Sequence, residues 1–220
     1  MIPKVIHCCW FSAKKTALAE RCLASWRRFA PEYEIKEWGL AELMALTPPQ
    51  FVRDALESGK WAFAADWLRF AALHADGGVY FDMDVELVAP LSVDGEFVAG
   101  QWAPGGSVVP EPAAMALERR SPVAAAMLER YAAETFVAAG TAGEALAAER
   151  DRMGLRVGIL PPEVFCPIDV DGTMRRTERT VGIHRCAMSW CSWRRRFARW
   201  LSWHGMRPLV DLALKVGRRR

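Results

Sequence analysis

Between residues 60 and 90 the chain reads KWAFAADWLRFAALHA, then DGG, then VYFDMDVELVAP. The first run is apolar almost all round, which marks a helix over about 60 to 75 buried on most of its faces. Asp76-Gly77-Gly78 stops it, because glycine takes the left-handed cap conformation without a Cβ penalty. The last run has strand texture with a period of two. Val79, Phe81, Met83 and Val85 fall on one face, and Tyr80, Asp82, Asp84 and Glu86 on the other. The expectation is one core face and one wholly polar face.

The same alternation of strand and helix extends in both directions. Residues 2–11 read as a buried strand, 15–30 as an amphipathic helix ended by Pro31, and 33–38 as a second strand. Two short helices, 40–46 and 49–57, lead into the long one. Beyond residue 90, FVAGQWAP reads as a strand and AAMALE as a further strand or a helix start. A helix of some 18 residues is expected from Pro122, with Pro122 in its first turn, and a further helix over TAGEALAAERDRMG. VGILPPEVFCPID has the texture of a late strand and loop, and TVGIHRCAMSW reads as a last strand running into a turn. Strands alternating with helices argue an α/β domain.

At 220 residues the chain suits one domain with a full hydrophobic core. No stretch of some 18 apolar residues occurs, and MIPKVIHCCWF has neither a basic leader nor a cleavage site, so neither a spanning helix nor a signal peptide is expected. The six cysteines form no C-x-x-C pair and read as free thiols in the reducing cytosol. A zinc site drawn from Cys186, His184 and the Cys8-Cys9 pair lacks the usual ligand spacing. Residues 192–220 carry nine Lys or Arg and one acid, a local charge of +8, which against a total of +3 leaves −5 on the first 191 residues. The expected division is therefore a folded domain over 1–191 and a basic amphipathic tail over 192–220.

Asp82 and Asp84 project together at a strand end, where α/β sheets place ligands. Like charges this close raise one carboxylate's pKa unless a cation lies between them, and hard oxygen ligands suit Mg²⁺ or Mn²⁺. Along a straight strand the two carboxylates stand roughly 7 Å apart, too far to share one ion, so a bend is expected at Met83 or Asp84. Asp66 and Arg69, at i and i+3, are charges inside an otherwise apolar helix, where burial requires pairing. Helix, Gly-Gly and strand thus deliver Asp66, Arg69, Tyr80, Asp82 and Asp84 within 19 residues. That is enough for an anion-and-metal site, with a guanidinium suited to phosphate or sugar. A solvated edge strand and a structural ion pair are the bland alternatives.

The run AADWLRFAALHADGGVYFDMDV resembles the signature of the DXD-containing sugar-transferase family, which includes yeast mannosyltransferases, bacterial capsule and lipopolysaccharide transferases and, more distantly, the glucosylating domains of clostridial toxins. IPKVIHCCW and IHRCAMSW are similar to that family's first strand and closing motif. The resemblance implies a GT-A-type nucleotide-sugar-binding fold, a Rossmann-like mixed sheet flanked by helices, here with a short basic C-terminal helical tail. It places Trp10 against the nucleotide base, Asp66 and Arg69 on the donor sugar and adjacent phosphate, and Tyr80 in support of the donor pocket. Asp82 would touch ribose and metal, Asp84 would ligate the metal, and His184 would complete the metal or diphosphate shell. Ser189 and Trp190 would close a lid over the β-phosphate. QWAPGGSVVPEPAAMALERR lacks the Asn-type residue the family often has before its next strand.

The activity implied is retaining transfer of a sugar from a UDP- or GDP-sugar to a saccharide or glycolipid acceptor, with Mn²⁺ or Mg²⁺ neutralising the leaving diphosphate, in capsule, lipopolysaccharide or exopolysaccharide synthesis. Two other readings share the motif. A haloacid-dehalogenase-type phosphatase also uses D-x-D, but at the start of the chain and with a later paired-Asp motif, for which Asp169-x-Asp171 is poorly placed. The second is an inactive membrane-surface binding protein of the same fold. In the tail, Trp193, Phe197, Trp200 and Leu201 line up beside Arg194, Arg195, Arg196 and Arg199. Tryptophan with arginine fits an anionic membrane surface, placing the protein in the cytoplasm at the inner face of the membrane, with a packed helix as the alternative. No nucleic-acid motif accompanies this charge.

Overall fold

β1 (Val5–Cys9) and β2 (Glu34–Trp38) run parallel, with Val5 opposite Glu34 and Cys9 opposite Trp38, joined by α1 (Ala17–Phe29). The expected β-α-β opening is present. Thr16 caps α1 by accepting a hydrogen bond from Ala19 N, and Ala19, Cys22, Leu23 and Trp26 form its buried stripe. α2 (Leu40–Ala45), α3 (Gln50–Glu57) and α4 (Trp61–Asp76) then cross to β3 (Gly78–Phe81), which lies parallel to β1 on the side away from β2. β4 (Val85–Leu87), β5 (Phe97–Trp102), β6 (Val108–Leu117), α5 (Pro122–Ala133), α6 (Ala142–Met153), β7 (Gly158–Leu160), α7 (Pro162–Phe165) and β8 (Gly182–His184) complete the order. The computed structural model describes residues 1–136 and 141–187, together with Phe197, Ala198, Leu201 and Trp203.

The main sheet has the order β2-β1-β3-β6-β5-β7. β6 is antiparallel to both β3 and β5, while β7 is parallel to β5. Two apolar cores cover its faces. One joins Ile6, Cys8, Val79 and Phe81 to α1, and the other joins Tyr80, Val98 and Met115 to α3, α4, α5 and α6. Both faces of β3 are therefore buried, which corrects the expectation of a wholly polar second face. Tyr80 is only 2% exposed because α4 lies over it. The polar side begins at Asp82, where the chain leaves the sheet.

Gly77 caps α4 at φ 68°, and a Cβ there would stand 2.6 Å from Arg119 N, so the stop depends on glycine for both conformation and space. Other elements also differ from expectation, among them the short helix α7 inside a segment read as strand and loop. The helix from Pro122 ends at Ala133, with Glu134 extended. The segment 77–90 is two strands rather than one, since its pairing in the main sheet stops at Phe81 and resumes at Val85 in a separate two-stranded sheet with β8. β6 starts at Val108, well before AAMALE, despite Pro110 and Pro112. Prolines are tolerated there because β3 pairs only as far as Ala114, and the pairing with β5 jumps from Met115–Val98 to Glu111–Ala99.

Candidate active site

The chain leaves β3 through a tight turn. Asp82 N donates to Ala113 O at 2.8 Å, and Val85 N donates back to Asp82 O at 2.9 Å. This is the bend that two carboxylates on one ion require. It folds Asp84 back, and pairing of Val85 with His184 across β4 and β8 brings the imidazole alongside. One ligand atom each from Asp82, Asp84 and His184 lie within 4.8 Å of one another, the one such cluster among the described residues. Asp84 is held on several sides: its carbonyl accepts from Arg185 N at 2.9 Å, Oδ2 accepts from Ala187 N at 2.7 Å, and Oδ1 lies 3.4 Å from His184 Nε2.

Arg69 is the hub on the other side of Asp82. Its guanidinium lies 2.7 Å from Asp66 Oδ1 and 3.4 Å from Asp82 Oδ1, donates to Pro112 O at 3.0 Å, and sits 5.0 Å from the Tyr80 ring centroid. The Tyr80 hydroxyl donates to Asp82 Oδ1 at 3.0 Å, so Cys9 Sγ, 3.0 Å from that hydroxyl, acts as donor to it. Asp82, Arg69 and Tyr80 thus hold one another in place, with the Asp82 side chain 28% exposed.

Burial raises the Asp66 carboxyl to about 6 against the pull of Arg69, and raises Asp82 and Glu111 as well. Asp84 moves the other way: burial opposes it, but His184 and the Ala187 amide hold it below the usual carboxylate value. Burial also opposes protonation of His184, yet Cys186 and Asp84 outweigh it and set the imidazole well above its ordinary value. Four carboxylates, Asp66, Asp82, Asp84 and Glu111, therefore face two cationic groups, Arg69 and His184. The excess of negative charge, the two hard oxygen ligands and the imidazole fit a divalent cation such as Mn²⁺ or Mg²⁺.

The structure brings together Asp66, Arg69, Tyr80, Asp82, Asp84 and His184. Trp10 lies at the end of β1, its amide donating to Trp38 O at 2.9 Å, and its indole Nε1 is buried with no hydrogen-bond partner among the described residues. Such an orphan donor is uncommon. Ser189 and Trp190 lie outside the described residues, as does nearly all of 192–220. The zinc grouping does not assemble among the described residues, because Cys8 is buried in the core and Cys9 is engaged with Tyr80. Asp169 is tied to Arg175 and Asp171 accepts from Thr173 N, so neither joins the centre. Glu111 was not singled out from sequence. The signal was there in VPEPA, an acid between two prolines next to an apolar strand.

A mixed sheet with a carboxylate turn at the end of its third strand is the GT-A-type arrangement, and the similarity to solved structures agrees. The "PaToxG Glycosyltransferase" structure superposes with a TM-score of 0.53 at 16% identity, over 69% of this chain and 70% of that one. A "glycosyltransferase involved in the glycosylation of the major capsid of PBCV-1" gives a TM-score of 0.48 at 14% identity, over 93% of this chain and 99% of that one. The fold likeness rests on the first. Residues 17–99 match the family model described as "Glycosyltransferase sugar-binding region containing DXD motif". No curated protein matches the chain in sequence.

Proposed function

We propose that this protein is a retaining, metal-dependent glycosyltransferase that moves a hexosyl group from a UDP- or GDP-sugar to a saccharide or lipid-linked acceptor. The observation that carries this reading is the convergence of Asp82, Asp84 and His184 within 4.8 Å, next to the buried Asp66–Arg69 pair. In this reading Asp82, Asp84 and His184 hold Mn²⁺ or Mg²⁺, which supplies positive charge where the leaving diphosphate becomes more negative. The chain's own residues do the rest. Trp10, at the end of β1, lies against the base. Arg69, fixed by Asp66 and Pro112 O, holds the sugar-side phosphate, and Asp66 accepts from sugar hydroxyls. Tyr80 keeps Asp82 in place.

Ser189 and Trp190 are proposed to cover the β-phosphate. The basic stretch 192–220 is proposed to meet an anionic membrane surface from the cytoplasmic side, which suits a lipid-linked acceptor in capsule or lipopolysaccharide synthesis. No described helix is long and apolar enough to cross a membrane. The experiment that tests the reading is calorimetric titration of UDP, GDP and their sugars with and without Mn²⁺. Binding of one nucleotide series that requires Mn²⁺ and is lost in Asp84→Ala is expected. Equal binding without the cation, or by the variant, overturns the metal-dependent reading.

A further inference from the structure

Strand β6 carries an irregularity directly beside the carboxylate turn. Its pairing with β5 passes from Met115 opposite Val98 to Glu111 opposite Ala99, so Pro112, Ala113 and Ala114 have no partner on β5. Two of these three residues turn their carbonyls to the site instead. Pro112 O accepts from Arg69 and Ala113 O accepts from Asp82 N. Bulges next to active sites commonly re-aim the neighbouring side chain. That side chain here is Glu111. It is half-buried, and among the described residues its carboxylate accepts one hydrogen bond, from its own segment at Ala113 N, 3.3 Å away. The charged groups near enough to influence it are His184, Asp82 and Arg69. Among the described residues no structural partner accounts for this carboxylate.

The order of strands fixes the side of the site on which it stands. Along the sheet the sequence is β1, β3, β6, with Trp10 following β1, the Asp82–Asp84 turn following β3, and Glu111 on β6. If the base lies by Trp10 and the diphosphate at the turn, the transferred sugar and the incoming hydroxyl lie on the β6 side.

We propose that Glu111 is a catalytic carboxylate on the acceptor side of the site, facing the electron-poor sugar ring while the incoming hydroxyl points its proton at the departing diphosphate. This rests on the glycosyl-transfer reading. In the step, the acceptor oxygen forms its bond to the anomeric carbon as the bond from that carbon to the diphosphate oxygen breaks. The bonding pair leaves with the diphosphate, which also takes the hydroxyl proton, and Glu111 remains a carboxylate throughout. Its charge then opposes the positive charge that grows on the ring.

The test compares wild type with Glu111→Gln and Glu111→Asp, each with Mn²⁺ and a panel of UDP- and GDP-sugars. Water and 4-nitrophenyl glycosides serve as acceptors. Expected is a fall in kcat of about 10²-fold for Glu111→Gln, partial recovery in Glu111→Asp, and unchanged KM for the donor and unchanged UDP or GDP affinity. Turnover by Glu111→Gln equal to wild type overturns the assignment. So does a parallel loss of nucleotide affinity, which would put Glu111 in the donor cradle. A wild type that neither binds nor turns over any nucleotide sugar overturns glycosyl transfer itself, and that result is read without any variant.

Discussion

Arg69 on α4 donates to the carbonyl of Pro112 on β6 at 3.0 Å, so one guanidinium fastens the helix to the irregular part of the strand while it pairs with Asp66 and Asp82. Its side chain is 6% exposed. Removing one partner from a buried, hydrogen-bonded ion pair is costly because the other charge stays behind. Arg69→Met is expected to lower unfolding stability by about 3–5 kcal/mol, measured from urea midpoints. Arg69→Lys keeps the charge but loses the planar fork that reaches three acceptors, and is expected to lose nucleotide-sugar turnover while remaining folded.

Cation binding is expected to stabilise the folded chain, because Asp82, Asp84 and His184 converge only after β4 and β8 have paired. At a Mn²⁺ concentration a hundred times its dissociation constant the gain is about 2.7 kcal/mol. Melting curves with and without Mn²⁺ measure it. His184→Ala is expected to abolish most of the shift, and a shift equal to wild type would remove His184 from the ligand set.

His7 gives a pH dependence that is separate from catalysis. It is fully buried, Trp38 Nε1 donates to its Nδ1 at 3.0 Å, and its Nε2 donates to Gly77 O at 2.9 Å, an arrangement that requires the neutral ring. Burial lowers its pKa from 6.5, against smaller opposing effects of the Gly77 carbonyl and Asp76. The unfolded chain therefore binds more protons below 6.5 than the folded one, and stability is lost as pH falls through that value toward the lower folded pKa. Urea midpoints from about pH 7.5 downward measure the slope. In His7→Gln the part of the slope due to this residue is expected to vanish.

Asp66 behaves in the opposite sense. Its carboxyl titrates near about 6 because burial outweighs Arg69. Below that pH it is neutral and cannot hold Arg69 or sugar hydroxyls as a carboxylate, so nucleotide-sugar affinity is expected to weaken on the acid side of about 6. The folded state binds the extra proton, so this group favours folding at the lower pH. Calorimetry across the range is expected to show a flat, low affinity for Asp66→Asn.

Local patterns in the sequence were decisive for some parts of the site and silent where distant segments meet. Two aspartates too far apart on a straight strand required a bend, and the turn from Asp82 to Val85 is there. Asp66 and Arg69 were legible as charges in an apolar helix. Tyr80 was misplaced on an open polar face because period two tells which residues share a side but not what covers it, and α4 covers this one. Pro110 and Pro112 hid the start of β6, since proline argues against an interior strand and only the early end of β3 makes it acceptable. Glu111 was lost with them. His184 came from likeness to a known motif, as nothing local to IHRC foretells pairing with Val85.

That pairing spans about a hundred residues of chain between the second aspartate and the histidine. Any shortened or incompletely folded form that ends before β8 retains DMD intact, yet has only two of the three proposed ligands. On the proposed metal reading, cation affinity reports the pairing of β4 with β8, and a newly made polypeptide acquires it only after His184 has been synthesised.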